Sequence, residues 1–477
     1  MGNFLRVLCR RLLVLGLCAS AGCTQSAEPP PNILLISIDS LRSDHLGSYG
    51  YGRDTSPNLD ALARGGARFE TALAPSPWTL PSHVTLLTGR HPAAHGVNNP
   101  DRKLAESIPT LAEELHAAGY ATAAFVSGPY LRTAYAYDRG FDLYDQSLAA
   151  VSPGKSRTGI SSPQLIDNLL RWIGQEKGEA AEKPFFAFLH LWDVHYDFAP
   201  PPPWDSHFDP DYTGTRDGAG IEGLAPDLPA RDLEHIVALY DGEIRFTDEE
   251  LGRLFSALKA RGLFENTIII VTADHGEEFF EHGRIGHAIT LFDESLRVPL
   301  IVHHPRSIDP GMVLDGQVRL MDVAPTVLGL AGLPPGDIGM PAGAPIESRD
   351  LSPWLRGDLF AGRFPELVSF PENRVWGKGR TAVRTAGDKL IRENGIDYFE
   401  IFDLDNDPTE MSRRTGDGDD LAATLWELLQ LEKSFADWRE TAEVEAPKME
   451  VKGRLRAQLE ALGYIDADPG EEPQAAP

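Results

Sequence analysis

Ile33-Leu34-Leu35-Ile36-Ser37-Ile38-Asp39 is the stretch that decides the fold. A near-continuous apolar run, with no polar alternation, suits a strand covered on both faces, as in a parallel sheet. The run stops on a carboxylate. Similar runs recur at residues 121–126, 185–191, 267–272 and 298–302. Helical patterns fill the intervals. Ser56-Pro57 opens one that Gly65-Gly66 closes, with serine as cap, proline in the first turn and glycine as the stop. Residues 110–118 form another, ended by Gly119. The longest covers residues 232–260, with Leu233, Ile236, Val237, Tyr240 and Ile244 at helical spacing. This alternation predicts an α/β fold: a doubly wound, mostly parallel sheet flanked by helices.

The chain has 477 residues, enough for a large core, and its 42% hydrophobic and 24% charged content is ordinary for a globular protein. A formal charge of −27 argues against nucleic acid or an anionic membrane surface as the main partner. All three cysteines, Cys9, Cys18 and Cys23, lie near the N-terminus, so disulfides, cysteine–zinc sites and a cysteine nucleophile are excluded together downstream of them. Arg6, Arg10 and Arg11 precede a short apolar stretch, and Ser20-Ala21-Gly22-Cys23 resembles a bacterial lipoprotein cleavage box. Residues 1–23 therefore read as a leader, which predicts export to the periplasm or cell surface, with membrane attachment only through a lipid on Cys23. Residues 24–31 read as a proline-containing linker and 32–356 as the catalytic domain. Residues 357–467 read as a smaller C-terminal α+β subdomain, with turns at Gly387-Asp388 and Asn394-Gly395 and a helix within 421–435. Residues 468–477, rich in Pro, Glu and Ala, read as a disordered tail. Residues 200–227, opening on four prolines, read as an irregular insert over the active-site face that shapes the substrate pocket.

Three features coincide at the carboxyl ends of predicted strands: Asp39, Asp274-His275, and the segment from His190 to His195. Open α/β sheets bind ligands there. Between them in the chain comes Thr79-Leu80-Pro81-Ser82-His83, a hydroxyl at the mouth of a helix expected over 81–88. Taken alone, Asp39 and Thr79 read as helix caps. Together with carboxylates and an imidazole for a divalent cation, Thr79 reads as an activated oxygen nucleophile.

Ile38-Asp39-Ser40-Leu41-Arg42-Ser43-Asp44-His45, Leu86-Leu87-Thr88-Gly89-Arg90, Ala273-Asp274-His275-Gly276-Glu277 and Arg297-Val298-Pro299-Leu300 resemble, in order, signature stretches of the sulfatase family. Phe402-Asp403-Leu404 with Asp407-Pro408-Thr409-Glu410 is similar to its C-terminal signature. The resemblance implies an alkaline-phosphatase-like fold over about 32–465 and one divalent metal ion held by Asp39, Thr79, Asp274 and His275. Two carboxylates, an imidazole and an alkoxide favour Mn²⁺ or Zn²⁺, with Mg²⁺ and Ca²⁺ as alternatives. Ser40 stands where calcium-binding sulfatases generally carry a second aspartate, which weakens the calcium case. Thr79 would be the nucleophile. His83 replaces the motif's usual arginine and would bond to the Thr79 oxygen or a substrate oxygen. His195 resembles the family's substrate-contacting histidine, and His287 falls where many sulfatases have a lysine. Either would stabilise charge on the transferred group or protonate the leaving oxygen. His190, Asp193 and Asp197 are further candidates for a second ion.

Sulfatases attack through formylglycine, made by oxidising cysteine or serine. Threonine cannot yield that aldehyde, because its β-carbon already carries a methyl group. The expected activity is therefore hydrolysis of a phosphate monoester, diester or phosphonate, with sulfate esters as the lesser option, on a small-molecule, lipid or glycan substrate. A phosphoethanolamine- or glycerol-phosphate-type transferase and an inactive sulfatase-like binding protein are the alternatives. Neither the alcohol half of the substrate nor the oligomeric state follows from the sequence.

Overall fold

The computed structural model describes residues 29–149, 160–179, 183–358, 364, 367–375, 379–395, 398–414, 419–441, 446–461 and 465. The leader and its three cysteines, most of the expected linker and the expected tail lie outside the described residues. The first apolar run forms β1 (Asn32–Ile38), buried along its whole length. Ala67–Leu73 is β2, Ala121–Ser127 β3, Leu143–Leu148 β4, Phe185–Leu191 β5 and Thr267–Ala273 β6. Then follow β7 (Arg297–Val298), β8 (Leu300–His303) and β9 (Met312–Arg319). The strand order is β9–β2–β8–β6–β1–β5–β3–β4, with β7 beside β2. β1 is parallel to both neighbours, with Ile38 level with Leu191 on one side and Ala273 on the other. The mostly parallel sheet expected from the sequence is what the structure shows.

Two details differ from the sequence reading. The run at 298–302 is not one strand: Pro299 has no N–H to donate, and the chain divides there. β8 runs antiparallel to both β2 and β6. β2, β4 and β9 went unrecognised because none is a continuous apolar run. β2 is only partly buried, β4 is an edge with no buried residue, and β9 carries Asp315-Gly316 at a register shift.

The helices explain how the sheet's carboxyl edge is held. In α1 (Pro57–Arg64) the expected serine cap is not made: the Ser56 hydroxyl accepts from Gly47 N and donates to Asp60. Asp248 caps that helix instead, accepting from Asn58 N and Leu59 N. Asp248 lies on the long helix α5 (Ala230–Ala260), which follows α2 (Thr79–Thr88), α3 (Leu111–Ala117) and α4 (Ser162–Glu179) in the chain. α3 has the full capping box, Thr110 with Glu113, and the chain leaves it through Gly119 at φ +90°. α2 is buried at all ten positions, so it is a core element and not an amphipathic one.

A second, antiparallel sheet comprises β10 (Glu372–Asn373), β11 (Arg380–Arg384), β12 (Asp388–Glu393) and β13 (Phe399–Asp403). The turns fall at the two predicted glycine dipeptides. Val383, Leu390 and Ile401 of this sheet pack with Leu428 and Phe435 of the helix Asp419–Thr441.

Candidate active site

Asp39 and Asp274 leave β1 and β6 side by side, because the two strands are adjacent, parallel and end level. Ser40 then turns with φ +56°. The Tyr240 hydroxyl fixes that turn, donating to Ser40 O (2.8 Å) and accepting from Arg42 N (2.9 Å). The Ser40 hydroxyl donates to Asp39 Oδ1 (2.9 Å) and its N–H to Asp274 Oδ1 (3.3 Å), while His275 N also reaches Asp274 Oδ1 (3.0 Å). The remaining oxygens, Asp39 Oδ2 and Asp274 Oδ2, are buried with no hydrogen-bond partner.

Thr79 is the first residue of α2, and its hydroxyl lies 3.3 Å from His275 Nε2. The opposite ring atom, His275 Nδ1, donates to Gly276 O at 2.9 Å, since a carbonyl can only accept. That leaves the Nε2 lone pair facing 3.4 Å to Asp274 Oδ2 and 3.6 Å to Asp39 Oδ1. The four residues expected to share an ion are therefore gathered in one place. Oxygens of two carboxylates, one of them the unpartnered Asp274 Oδ2, meet the His275 ring nitrogen in a buried site, an arrangement a divalent cation satisfies.

His83 lies beside them, bonded to the backbone and not to the hydroxyl of Thr79. Its Nδ1 donates to the backbone oxygen of Thr79 (3.0 Å) and its Nε2 accepts from the Ser37 hydroxyl (2.9 Å), so the ring ties α2 to β1 and is not turned to the Thr79 hydroxyl. Burial pushes its pKa down to about 3, so it is neutral at physiological pH. Asp193 and Asp197 are also engaged elsewhere. Asp193 accepts from the backbone of Ser161 and Ser162 at the start of α4, and Asp197 from Ile221 N. Only His190 of that trio faces the site, with Nε2 3.3 Å from Asp39 Oδ2.

His195 stacks on Trp192 at 3.8 Å between ring centroids and lies 4.9 Å from the ring of His287, which is 4.4 Å from that of His275. The loop carrying His287 is pinned to the segment before Thr79 by Ala288 N donating to Pro77 O (2.9 Å). His287 Nδ1 lies 3.2 Å from both oxygens of the buried Glu277. Burial drives the pKa of Glu277 up and that of His287 down. The insert reaches this row of rings through Glu222, which accepts from the Tyr196 hydroxyl at 2.5 Å, and the Tyr196 ring lies 4.8 Å from His287. The insert is not wholly irregular, for Trp204–His207 is helical and Ile221–Gly223 a 3-10 turn.

Sequence reasoning passed over Ser37, Tyr196, Glu222 and Glu277. Glu277 had a signal, its place in the Ala273-to-Glu277 motif. The others are single polar residues that only the tertiary fold brings near the site.

Residues 31–333 match the sulfatase family profile, and residues 281–435 match that of the N-sulphoglucosamine sulphohydrolase C-terminal region. The chain belongs to the sulfatase family, and is a hydrolase of ester bonds. It is 28% identical over 423 residues to an ulvan-active sulfatase of Formosa agariphila, covering 80% of this chain and 78% of the relative. It is 28% identical over 412 residues to human arylsulfatase A, covering 75% and 73%. Among solved structures, the phosphonate monoester hydrolase of Agrobacterium radiobacter superposes with a TM-score of 0.67 at 23% identity, covering 85% of this chain and 96% of that one, a likeness of fold.

Proposed function

We propose that this protein hydrolyses phosphate monoesters, diesters or phosphonates through Thr79, with sulfate esters as poorer substrates. The observation that carries the reading is the Thr79 hydroxyl 3.3 Å from a histidine lone pair that also faces two carboxylates, at the position where sulfatases place their aldehyde-derived nucleophile. Asp39, Asp274, His275 and Thr79 would hold one divalent ion, Mn²⁺ or Zn²⁺ by donor type. When bound, such an ion favours ionisation of the Thr79 hydroxyl and offsets negative charge on the transferred group.

The Thr79 oxygen attacks phosphorus as its proton passes to water. The bond from phosphorus to the alcohol oxygen breaks, and that oxygen takes a proton from His195 or His287. A second water then attacks phosphorus and gives its proton back to that histidine, and the Thr79 oxygen departs with a proton from water. His83 keeps the first turn of α2 in place through the Thr79 carbonyl, and the Trp192–His195 stack walls one side of the site. The fold is shared with a phosphonate monoester hydrolase as well as with sulfatases, which supports phosphorus chemistry on this scaffold. Export and lipidation at Cys23 stand as a proposal on the leader motif alone.

The test is a panel of aryl phosphate monoesters, diesters, phosphonates and sulfates, each with Mn²⁺, Zn²⁺, Mg²⁺ and Ca²⁺. The reading expects kcat/KM for a phosphorus ester to exceed that for the matching sulfate. Sulfate preference, with a modified residue at position 79, would overturn it.

A further inference from the structure

Between the loop that carries His287 and the second sheet lies a cavity of about 350 Å³. That volume falls at the lower end of the roughly 300–1,000 Å³ of small-molecule sites. His282, Arg284, Arg380 and Arg413 line it, with Tyr398 and a single acid, Glu400. Three guanidinium groups and an imidazole around one carboxylate run against the composition of the chain, in which 71 acidic residues outnumber 44 basic ones.

The acids that pair with these groups are the more buried members of each pair. Arg413 Nη2 lies 2.5 Å from Glu400 Oε1, and the arginine side chain is 60% exposed against 13% for the glutamate. Arg380 lies 3.7 Å from Glu393, too far for a hydrogen bond, and its Nη1 donates to Ile289 O at 3.3 Å. Arg284 is exposed, and among the described residues its side chain has no ion-pair partner. One such arginine would be ordinary surface. A guanidinium carries five N–H donors, so three of them at one cavity leave several donors over, in the fork geometry that suits a carboxylate or a tetrahedral oxyanion.

The cavity shares a wall with the reaction centre. Arg284 precedes His287 by three residues, in the hairpin that pairs Phe279 with Ile285. Arg380 holds the carbonyl of Ile289, two residues after His287, and Ala288 N is tied to Pro77 O just before Thr79. We propose that this cavity binds an anionic group of the substrate, a carboxylate, sulfate or phosphate set apart from the ester at Thr79, so that esters bearing a second negative charge are preferred. Tyr398, with Arg413 5.9 Å over its ring, offers a face to the carbon skeleton that carries the charge. The inference rests on the reaction centre of the proposed function and names the class of substrate it takes.

The test uses aryl phosphate and aryl sulfate esters with a flexible tether, in a series of lengths, ending in a carboxylate, a neutral carboxamide or an amine. The ratio of kcat/KM for carboxylate over carboxamide is taken within each protein, which cancels changes in the shared chemistry. At one tether length wild type should show a ratio of at least about fivefold, and salt should reduce it. In Arg284→Gln/Arg413→Gln the ratio should fall below about twofold, and Arg284→Glu should favour the amine instead. A ratio near one at every length, or one that survives in the double variant, overturns the proposal. An equal gain for the amine would assign the effect to the apolar walls and overturn it too. If no tether helps but inorganic phosphate shields Arg284 and Arg413 from phenylglyoxal, the cavity takes a free anion, and its assignment to substrate is overturned. The carboxamide esters report the reaction centre separately. A preference for sulfate among them overturns the phosphorus reading, and the tether ratio is then read on the sulfates.

Discussion

Thr79 Oγ1 and His275 Nε2 lie 3.3 Å apart although 196 residues separate them in the chain. The contact exists because α2 starts at Thr79 directly over the carboxyl edge of the sheet where β6 ends. If this hydroxyl is the nucleophile, Thr79→Ala should lower kcat/KM by at least about 10³-fold with little change in stability. Thr79→Ser keeps an attacking oxygen and should retain far more activity. Steady-state kinetics on the best ester, with the mass of the peptide spanning residue 79 to show an unmodified threonine, checks both.

His83 should behave as a positioning residue. Its ring joins Ser37 on β1 to the Thr79 carbonyl on α2, so His83→Ala leaves a void and an unpaired Ser37 hydroxyl. The expected loss is about 2–4 kcal/mol of stability, with activity falling because the first turn of α2 shifts. His83→Asn keeps a donor near Nδ1 and should recover activity before it recovers stability. Denaturant unfolding and kinetics on the same samples make the comparison. Equal activity of the alanine variant and wild type would show that the ring positions nothing.

What the sequence disclosed follows a physical line. Runs such as 33–38 and 185–191 are readable because burial on both faces forces continuous apolar character. Asp39 and Asp274 are readable because two carboxylates end such runs at the same edge of the sheet, although Asp39 alone reads as a cap. β9 was hidden because a bulged strand with Asp315-Gly316 inside it looks like a turn. His190 was legible as a polar residue in an apolar strand. Its pairing with Asp39 follows only once β5 is known to lie beside β1. The bond of His83 to the Thr79 carbonyl was not legible because an i, i+4 bond to a helix carbonyl leaves no mark in sequence.

The insert should act on substrate binding more than on chemistry. Glu222 holds the Tyr196 hydroxyl, and Tyr196 leans on His287. Tyr196→Phe removes that bond and keeps the ring, so KM should rise a few-fold while kcat stays within about twofold. Glu222→Gln should do much the same. The double variant should be little worse than either alone, because both remove one interaction. Additive losses would mean that the two residues act separately.

His282 couples pH to stability away from the reaction centre. Its Nδ1 bonds Glu294 at 2.5 Å and its Nε2 the Glu410 carbonyl at 3.1 Å, and its ring stacks on Phe292 at 3.6 Å. Burial lowers its pKa, but Glu294 outweighs that and raises it to about 9. A histidine whose folded pKa is raised contributes fully below its unfolded value near 6.5, and the contribution fades as pH climbs through 9. The melting temperature of wild type should therefore fall more steeply than that of His282→Gln between about pH 6.5 and 9. Parallel pH profiles for the two proteins would refute the coupling.

Removing the charge of Lys389 should be costly. It is wholly buried on β12, with Nζ 2.9 Å from Asp293 and 2.8 Å from Glu410, while Arg384 on β11 holds Asp293 at 2.6 Å. Glu410 ends the C-terminal signature and also accepts from Asp293 N, so one ammonium joins the second sheet to the loop after His287. Lys389→Met keeps the volume but leaves Glu410 Oε1 facing no cation. Burial already pulls the pKa of Glu410 up to about 7 against the pull of Lys389, so without the lysine it should rise further and the carboxyl should bind a proton at neutral pH. Breaking one side of such a buried pair costs about 3–5 kcal/mol. The double variant Lys389→Met/Glu410→Gln removes both charges and keeps an acceptor for Asp293 N, so it should recover a substantial part of that loss. Urea unfolding at neutral pH measures both. If the double variant is no more stable than the single one, the cost lies in how the thioether packs at position 389 and not in the stranded carboxyl group.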